Sequence, residues 1–209
     1  MGDSFEIIDN VYRSRITLLD ILEERGYDVA RFRKFSPAEI VAAATSAHFE
    51  GLSFKTTKRG DLSQVLEVRY TSYPKTQLIG AIRESVEHED PTKFELIVFM
   101  EAPVAEQHTE AAIRLYMADK LRVSFFSFFQ LVNNPMRHVM VPKHVIVPSD
   151  QHAELMERYH ITSIAKFPMI RYHFDPIVRI LGAVPGDILK ITRPSPTSGT
   201  YDIYRVVVP

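Results

Sequence analysis

The chain has 209 residues, 45% of them apolar, which suits one large or two small domains with a sizeable buried core. Its formal net charge of −1 excludes a freestanding electrostatic nucleic-acid binder, and its lack of cysteine excludes disulfides, thiolate nucleophiles and cysteine-ligated zinc. No stretch approaches about 18 uninterrupted apolar residues, so no membrane span is expected, and the acidic start from Met1 to Asp9 lacks the basic region of a signal peptide.

Ile8, Val11, Tyr12, Leu18, Leu19 and Leu22 recur mostly at helical spacing, with Gly26 as a stop. A second helix starts at Ser36-Pro37-Ala38-Glu39, where Ser36 can cap, Pro37 suits the first position and Glu39 completes a capping box. The basic K-T-T-K-R at Lys55 to Arg59 reads as a loop of surface cations. Val65 to Tyr70 reads as a strand, and Pro74 opens a third helix carrying Leu78, Ile79, Ile82 and Val86. Phe94 to Met100 is a continuous apolar run with one acid, the signature of a buried strand. Thr109 to Leu121 is expected to be helical, with Ala112, Ile113, Tyr116 and Met117 on its apolar side. Val123 to Val132 is expected to be a further strand. Its Phe125, Phe126, Phe128 and Phe129 are read as core, which requires both sheet faces to be covered. Helices alternating with buried strands predict an α/β layer up to Asn133.

Asn133-Asn134-Pro135 is a turn signal, which sets the expected boundary between domains 1–134 and 135–209. Beyond it, Ser149 or Asp150 is expected to cap a short helix through Tyr159, with Leu155, Met156 and Tyr159 as its apolar face. Asp175 caps another, Pro176 fits its first turn and Gly182 ends it. Ile188 to Thr192 and Tyr201 to Val208 read as strands joined by a turn over Pro194 to Gly199, so this half is expected to be a small α+β domain. From His138 onward eight Lys/Arg face six Asp/Glu, whereas the part before it has 17 and 20.

Most candidate chemistry has a plainer reading. His138 and His144 would share a strand face roughly 20 Å apart at about 3.3 Å per residue, too far to hold one metal. His152, His160 and His173 have no metal-binding spacing either. Asp61 followed by Glu67-Val68-Arg69 has the outline of a Mg²⁺-dependent nuclease set, in which two carboxylates hold the metal and a lysine activates water. Arg69 is permanently charged and cannot be that base. Gly182 to Gly186 lacks the lysine of a phosphate loop, and Ser195 and Ser198 lack a hydrolase elbow. No catalytic residue, metal or cofactor is expected. Arg179, Lys190, Arg193 and Arg205 with Tyr201 and Tyr204 suit a protein interface, a nucleic-acid contact or an ordinary solvated strand face.

An ordered set of motifs decides among these. It comprises H-V-M-V-P-K-H at His138 to His144, F-P-M-I at Phe167 to Ile170 and D-P-I-V-R-I-L-G at Asp175 to Gly182. It continues with P-G-D-I-L-K-I-T-R-P-S at Pro185 to Ser195 and T-S-G-T-Y-D-I-Y-R at Thr197 to Arg205. This region resembles the C-terminal module of the fifth-largest subunit of eukaryotic nuclear RNA polymerases, a module similar to the family's shorter archaeal members. R-G-Y at Arg25 to Tyr27 matches that family's opening, and the length fits its eukaryotic branch. The family's T-P-S-A stretch is absent, with Ala102 to Glu106 in its place.

The resemblance implies a non-catalytic structural subunit of a DNA-dependent RNA polymerase, without cofactor and without a membrane role. Its N-terminal domain would be an inactive nuclease-like α/β jaw near downstream duplex DNA, approached only in the assembled complex. Its C-terminal domain would assemble on the largest subunit. Asp175, Pro176, Arg193, Ser195, Tyr201, Tyr204 and Arg205 become the expected partner-binding residues, and Lys55, Lys58, Arg59 and Pro103 the expected DNA-proximal ones. The implied location is the nucleus. A version encoded by a large DNA virus also fits the N-terminal divergence, with a viral factory or virion as its location. The alternatives are a Mg²⁺-dependent nuclease on the N-terminal domain and a freestanding transcription-factor adaptor.

Overall fold

A computed structural model describes residues 2–47, 49–71, 78–86, 89–197 and 199–209. The chain divides into two compact units, Met1–Asn134 and Pro135–Pro209.

The first unit opens with helix α1 (Gly2–Glu24) and helix α2 (Pro37–Ala47). The α2 start is reciprocally capped: Glu39 N–H donates to Ser36 Oγ (3.3 Å) and Ser36 N–H to Glu39 Oε2 (2.6 Å). A four-stranded sheet follows, ordered β1 (Phe54–Lys58), β2 (Asp61–Thr71), β3 (Phe94–Met100) and β4 (Arg122–Ser127). β1 and β2 are antiparallel, while β2, β3 and β4 run parallel. Parallel neighbours need crossovers, and α3 (Leu78–Val86) and α4 (Glu106–Asp119) provide them. All seven β3 residues are buried, as its central place demands. Tyr70, Phe99 and Phe126 stand in register on β2, β3 and β4, with ring centroids 5.3 and 5.6 Å apart.

Several expectations for this unit are corrected. K-T-T-K-R is not a loop. Its first four residues belong to β1, because alternation buries Phe54 and Thr56 and leaves Lys55 outward. The aromatic strand ends at Ser127, whose N–H donates to Gln130 Oε1 (3.2 Å) as a 3₁₀ turn starts at Phe128. Phe125, Phe126 and Phe128 are core, but the tighter turn leaves Phe129 52% exposed. In α4 the buried face is His108, Ala111, Ala112 and Leu115, and Met117 faces solvent. That helix starts before Thr109 because His108 Nδ1 accepts the Ala105 amide (2.9 Å). Pro74 lies outside the described residues, as do the side chains of Leu78 and Ile79.

The second unit holds a sheet ordered β5 (Lys143–Val147), β7 (Ile188–Ser195), β8 (Gly199–Val208) and β6 (Met169–Arg171), with helices α5 (His152–Arg158) and α6 (Pro176–Leu181). β7 pairs antiparallel with both β5 and β8, and β6 runs parallel to β8. Val147, Leu155, Phe167, Ile188 and Val206 form a core cluster. His138 lies in a turn before β5 rather than on a strand with His144. A 3₁₀ turn over Ser149–Gln151 precedes α5, whose N-cap Gln151 makes no side-chain cap bond, so the expected capping by Ser149 or Asp150 is not seen. Tyr159, expected on the apolar face of this helix, is about half-exposed and packs against Tyr204. The β7–β8 hairpin reaches Ser195 and Gly199, longer than the predicted strands.

Candidate partner-binding surface

Residues opposite one another in a sheet share a face, so strand register sorts the candidate set. Arg193 lies opposite Tyr201 and Leu189 opposite Arg205, placing Arg193, Tyr201 and Arg205 on one face of the hairpin. Lys190 lies opposite Tyr204, which puts Tyr204 on the other face. The predicted constellation therefore divides across both sides of the β7–β8 hairpin.

Arg193 and Tyr201 are the exposed pair, with Tyr201 44% accessible. Arg205 is half-buried, and its Nη1 donates to Met169 O (3.0 Å), tying β8 to β6. On the opposite face Tyr204 meets Tyr159 at a centroid distance of 5.5 Å. There it lines an open cavity of about 240 Å³ with Val147, Leu155, Arg158 and Lys190. Lys190 is bound to Asp202 (2.8 Å), and Thr192 Oγ1 also donates to Asp202 (2.7 Å). The hydrogen bonds from Lys190 and Thr192 hold the Asp202 carboxyl below its usual range.

Three other predicted residues have structural work. Asp175 Oδ1 accepts the amides of Ile177 (2.8 Å) and Val178 (3.2 Å), and Pro176 fills the first position of α6. Ser195 Oγ accepts the Thr197 amide (3.4 Å) at the hairpin turn. Arg179 is buried within α6, and burial pushes its guanidinium down from its ordinary value despite nearby Asp175. It therefore does not join the exposed basic set.

The loop from Gly182 to Asp187 uses its amides internally. Ala183 N–H donates to Val178 O, Val184 N–H to Asp187 Oδ2 and Gly186 N–H to Val207 O. Gly186 has φ +101°, a conformation a side chain would strain. No phosphate cradle is formed there.

In the first unit, Lys55 is ion-paired with Glu89, and Arg59 Nη2 lies 3.1 Å from Glu23. Lys58 is exposed beside the turn between β1 and β2. Pro103 is also exposed, but it follows the opposite end of β3. Lys58 lies opposite Asp61 and Met100 opposite Thr71, so at about 3.3 Å per residue along β2 Lys58 and Pro103 stand roughly 30 Å apart. Asp61 accepts Ser63 N–H (3.1 Å) and Oγ–H (2.6 Å), and Glu67 is ion-paired with Arg69 beside it. These carboxylates therefore serve a turn and a strand face. Among the described residues no cluster of three or more His, Asp or Glu is placed to hold a metal.

Two buried polar centres escaped the sequence reading. Arg15 is buried, donates from Nη1 to Leu52 O (2.7 Å) and stacks over Phe35, Phe54 and Tyr70 at 4.8, 5.0 and 5.7 Å. Arg25 Nη2 donates to Glu95 Oε2 (2.6 Å), and Tyr27 OH reaches the same oxygen (3.3 Å). The R-G-Y motif thus ties the chain after α1 to the start of β3, with Gly26 turning at φ +87° between its two partners.

Comparison with known proteins follows the same two-unit division. Residues 133–207 match the model of the RNA polymerase Rpb5 C-terminal domain. Over 206 residues the chain is 26% identical to a Dictyostelium discoideum protein described as DNA-directed RNA polymerases I, II, and III subunit rpabc1, covering 97% of this chain and 100% of that one. A Caenorhabditis elegans protein described as the corresponding subunit RPABC1 is 28% identical over 211 residues, covering 95% of each chain. The DNA-directed RNA polymerase subunit Rpo5 of Pyrococcus horikoshii is 51% identical over 75 residues, 36% of this chain but 89% of that one. With this module preserved and the eukaryotic relatives matched nearly end to end, the chain belongs to the Rpb5/Rpo5 family of RNA polymerase subunits.

Proposed function

We propose that this protein is a structural subunit of a multisubunit DNA-directed RNA polymerase, contributing shape and contacts rather than chemistry. One observation carries this reading. The archaeal relative consists almost wholly of the module seen here at 135–209 and is itself named a polymerase subunit. That module is accordingly the assembly domain, docking on the largest subunit, and Arg193 and Tyr201 are the exposed guanidinium and aromatic anchors of the β7–β8 hairpin. The N-terminal unit, found in the long eukaryotic relatives, is a jaw beside downstream duplex DNA. An inactive nuclease-like layer agrees with Asp61 and Glu67 being engaged elsewhere. The eukaryotic relatives support a nuclear location.

The test is co-purification of the tagged full chain from its own cells, with Arg193→Ala/Tyr201→Ala beside it. Stoichiometric recovery of the remaining polymerase subunits, reduced in the double variant, is the expected result. Recovery of a single transcription factor instead would favour the adaptor reading, and Mg²⁺-dependent DNA cleavage lost in Glu67→Ala would favour the nuclease.

A further inference from the structure

Val139 and Met140 are 92% and 80% exposed, the two highest values among the described exposed large apolar residues. Solitary exposed apolar residues need no explanation, but an adjacent pair on a formed turn is unusual. Val141 N–H donates to His138 O (2.9 Å), and Met140 N–H to His138 Nδ1 (3.2 Å). The turn therefore presents the two side chains to solvent in a defined conformation.

The turn leads through Pro142 into β5, an edge strand hydrogen-bonded to β7 on one side only. Beyond that ladder, the only further hydrogen bond to its backbone among the described residues is His152 Nε2 with Val147 O, at 3.1 Å. Val145, at the strand's middle, is 45% exposed. The edge strand β1 differs, because Asp28 N–H donates to Thr57 O and Arg31 Nη2 to Lys55 O. At the other end of the second sheet, β6 has three residues. α6 packs against β5, but the backbone of β5 is unpaired on the side away from β7 apart from that one bond, and with apolar side chains beside it this is an arrangement that accepts an added strand.

Charge narrows the occupant. From Pro135 to Ser149 the sequence contains Arg137, His138, Lys143 and His144 and no acid. A second copy of this strand would bring like charges together, whereas an acidic strand would be attracted. Pro142 and Pro148 bound the edge, limiting an added strand to about five residues.

We infer that β5 and the Val139–Met140 turn form a docking edge for an extended segment of another polymerase subunit, one that alternates apolar and acidic residues. This rests on the polymerase-subunit reading and adds a place and a chemistry to it.

The test uses the full chain in reconstitution with the remaining polymerase subunits. Met140→Asp and Val145→Glu are expected to lower incorporation at least tenfold, with Met140→Leu near wild type. Hydrogen exchange of the wild-type chain, free and assembled, supplies a reading independent of whether the variants fold. Protection of the 143–147 amides is expected to rise on assembly. Unchanged exchange there, or normal incorporation of both acidic variants, overturns the docking edge and leaves the subunit reading intact. Failure of the wild-type chain to incorporate overturns both. A free-chain dimer in sedimentation that Met140→Asp dissolves assigns the edge to self-association instead and also overturns the inference.

Discussion

At the scale of single residues, the Arg25–Glu95–Tyr27 centre joins two charges and a phenol in a largely buried site. Burial, with the Glu95 carboxylate adding to it, pushes the Tyr27 phenol up to about 12 from an ordinary value near 10. The neutral phenol is thus favoured by folding. Its contribution is fully present below pH ~10 and is lost as pH rises through ~12, about 2–3 kcal/mol in all. Urea unfolding midpoints between pH 9 and 12 should fall, and the fall should be shallower in Tyr27→Phe. Glu95 is 3% exposed and its partner Arg25 is 14% exposed. Glu95→Ala should therefore cost about 3–5 kcal/mol in equilibrium unfolding, because it leaves a buried cation without its counter-charge. The joint Arg25→Met/Glu95→Leu variant should cost much less, since it removes both charges and keeps the volume. Arg25 and Tyr27 were visible in the sequence as a motif, but Glu95, about 70 residues away, looked like the one acid of an apolar run. Nothing local marked it as their partner.

At the scale of elements, short-range chemistry was legible and longer-range choices were not. The Ser36–Glu39 box and the Asp175 cap with Gly182 at its end were readable because each motif satisfies its own backbone within about four residues. Asp175→Ala should lower unfolding stability by about 1 kcal/mol, and Asp175→Asn should retain most of it, since Asn also caps. Equal assembly of the Asn variant and wild type would mark Asp175 as a capping residue. A loss of assembly without a loss of stability would restore its partner-binding role. By contrast, β1 became a strand through pairing with β2, and the aromatic run ended early through a 3₁₀ turn. Both outcomes depend on neighbours that a local pattern does not contain. The same holds for Met117, which has helical spacing but lies off the buried face.

At the scale of the whole molecule, the two units carry separate sheets and separate cores. The module 135–209 should fold alone, though near the lower size limit for independent stability. In a pull-down with the largest polymerase subunit, that fragment is expected to bind and 1–134 to bind weakly. Binding by 1–134 alone would reverse the assignment of roles, and equal binding by both would extend the interface across the boundary. The sequence by itself determined the family, the turn at Asn133-Asn134-Pro135, the buried β3, the start of α2 and both ends of α6. Those features are written in contiguous residues, as ordered motifs, hydrophobic runs and caps. Only the tertiary structure decided which side of the β7–β8 hairpin each candidate residue occupies, because register assigns alternate side chains to opposite faces. It alone brought Arg25 and Tyr27 to Glu95 and left β5 as an open edge. Those relations join positions far apart in the chain, and only the packing of whole elements brings such positions together.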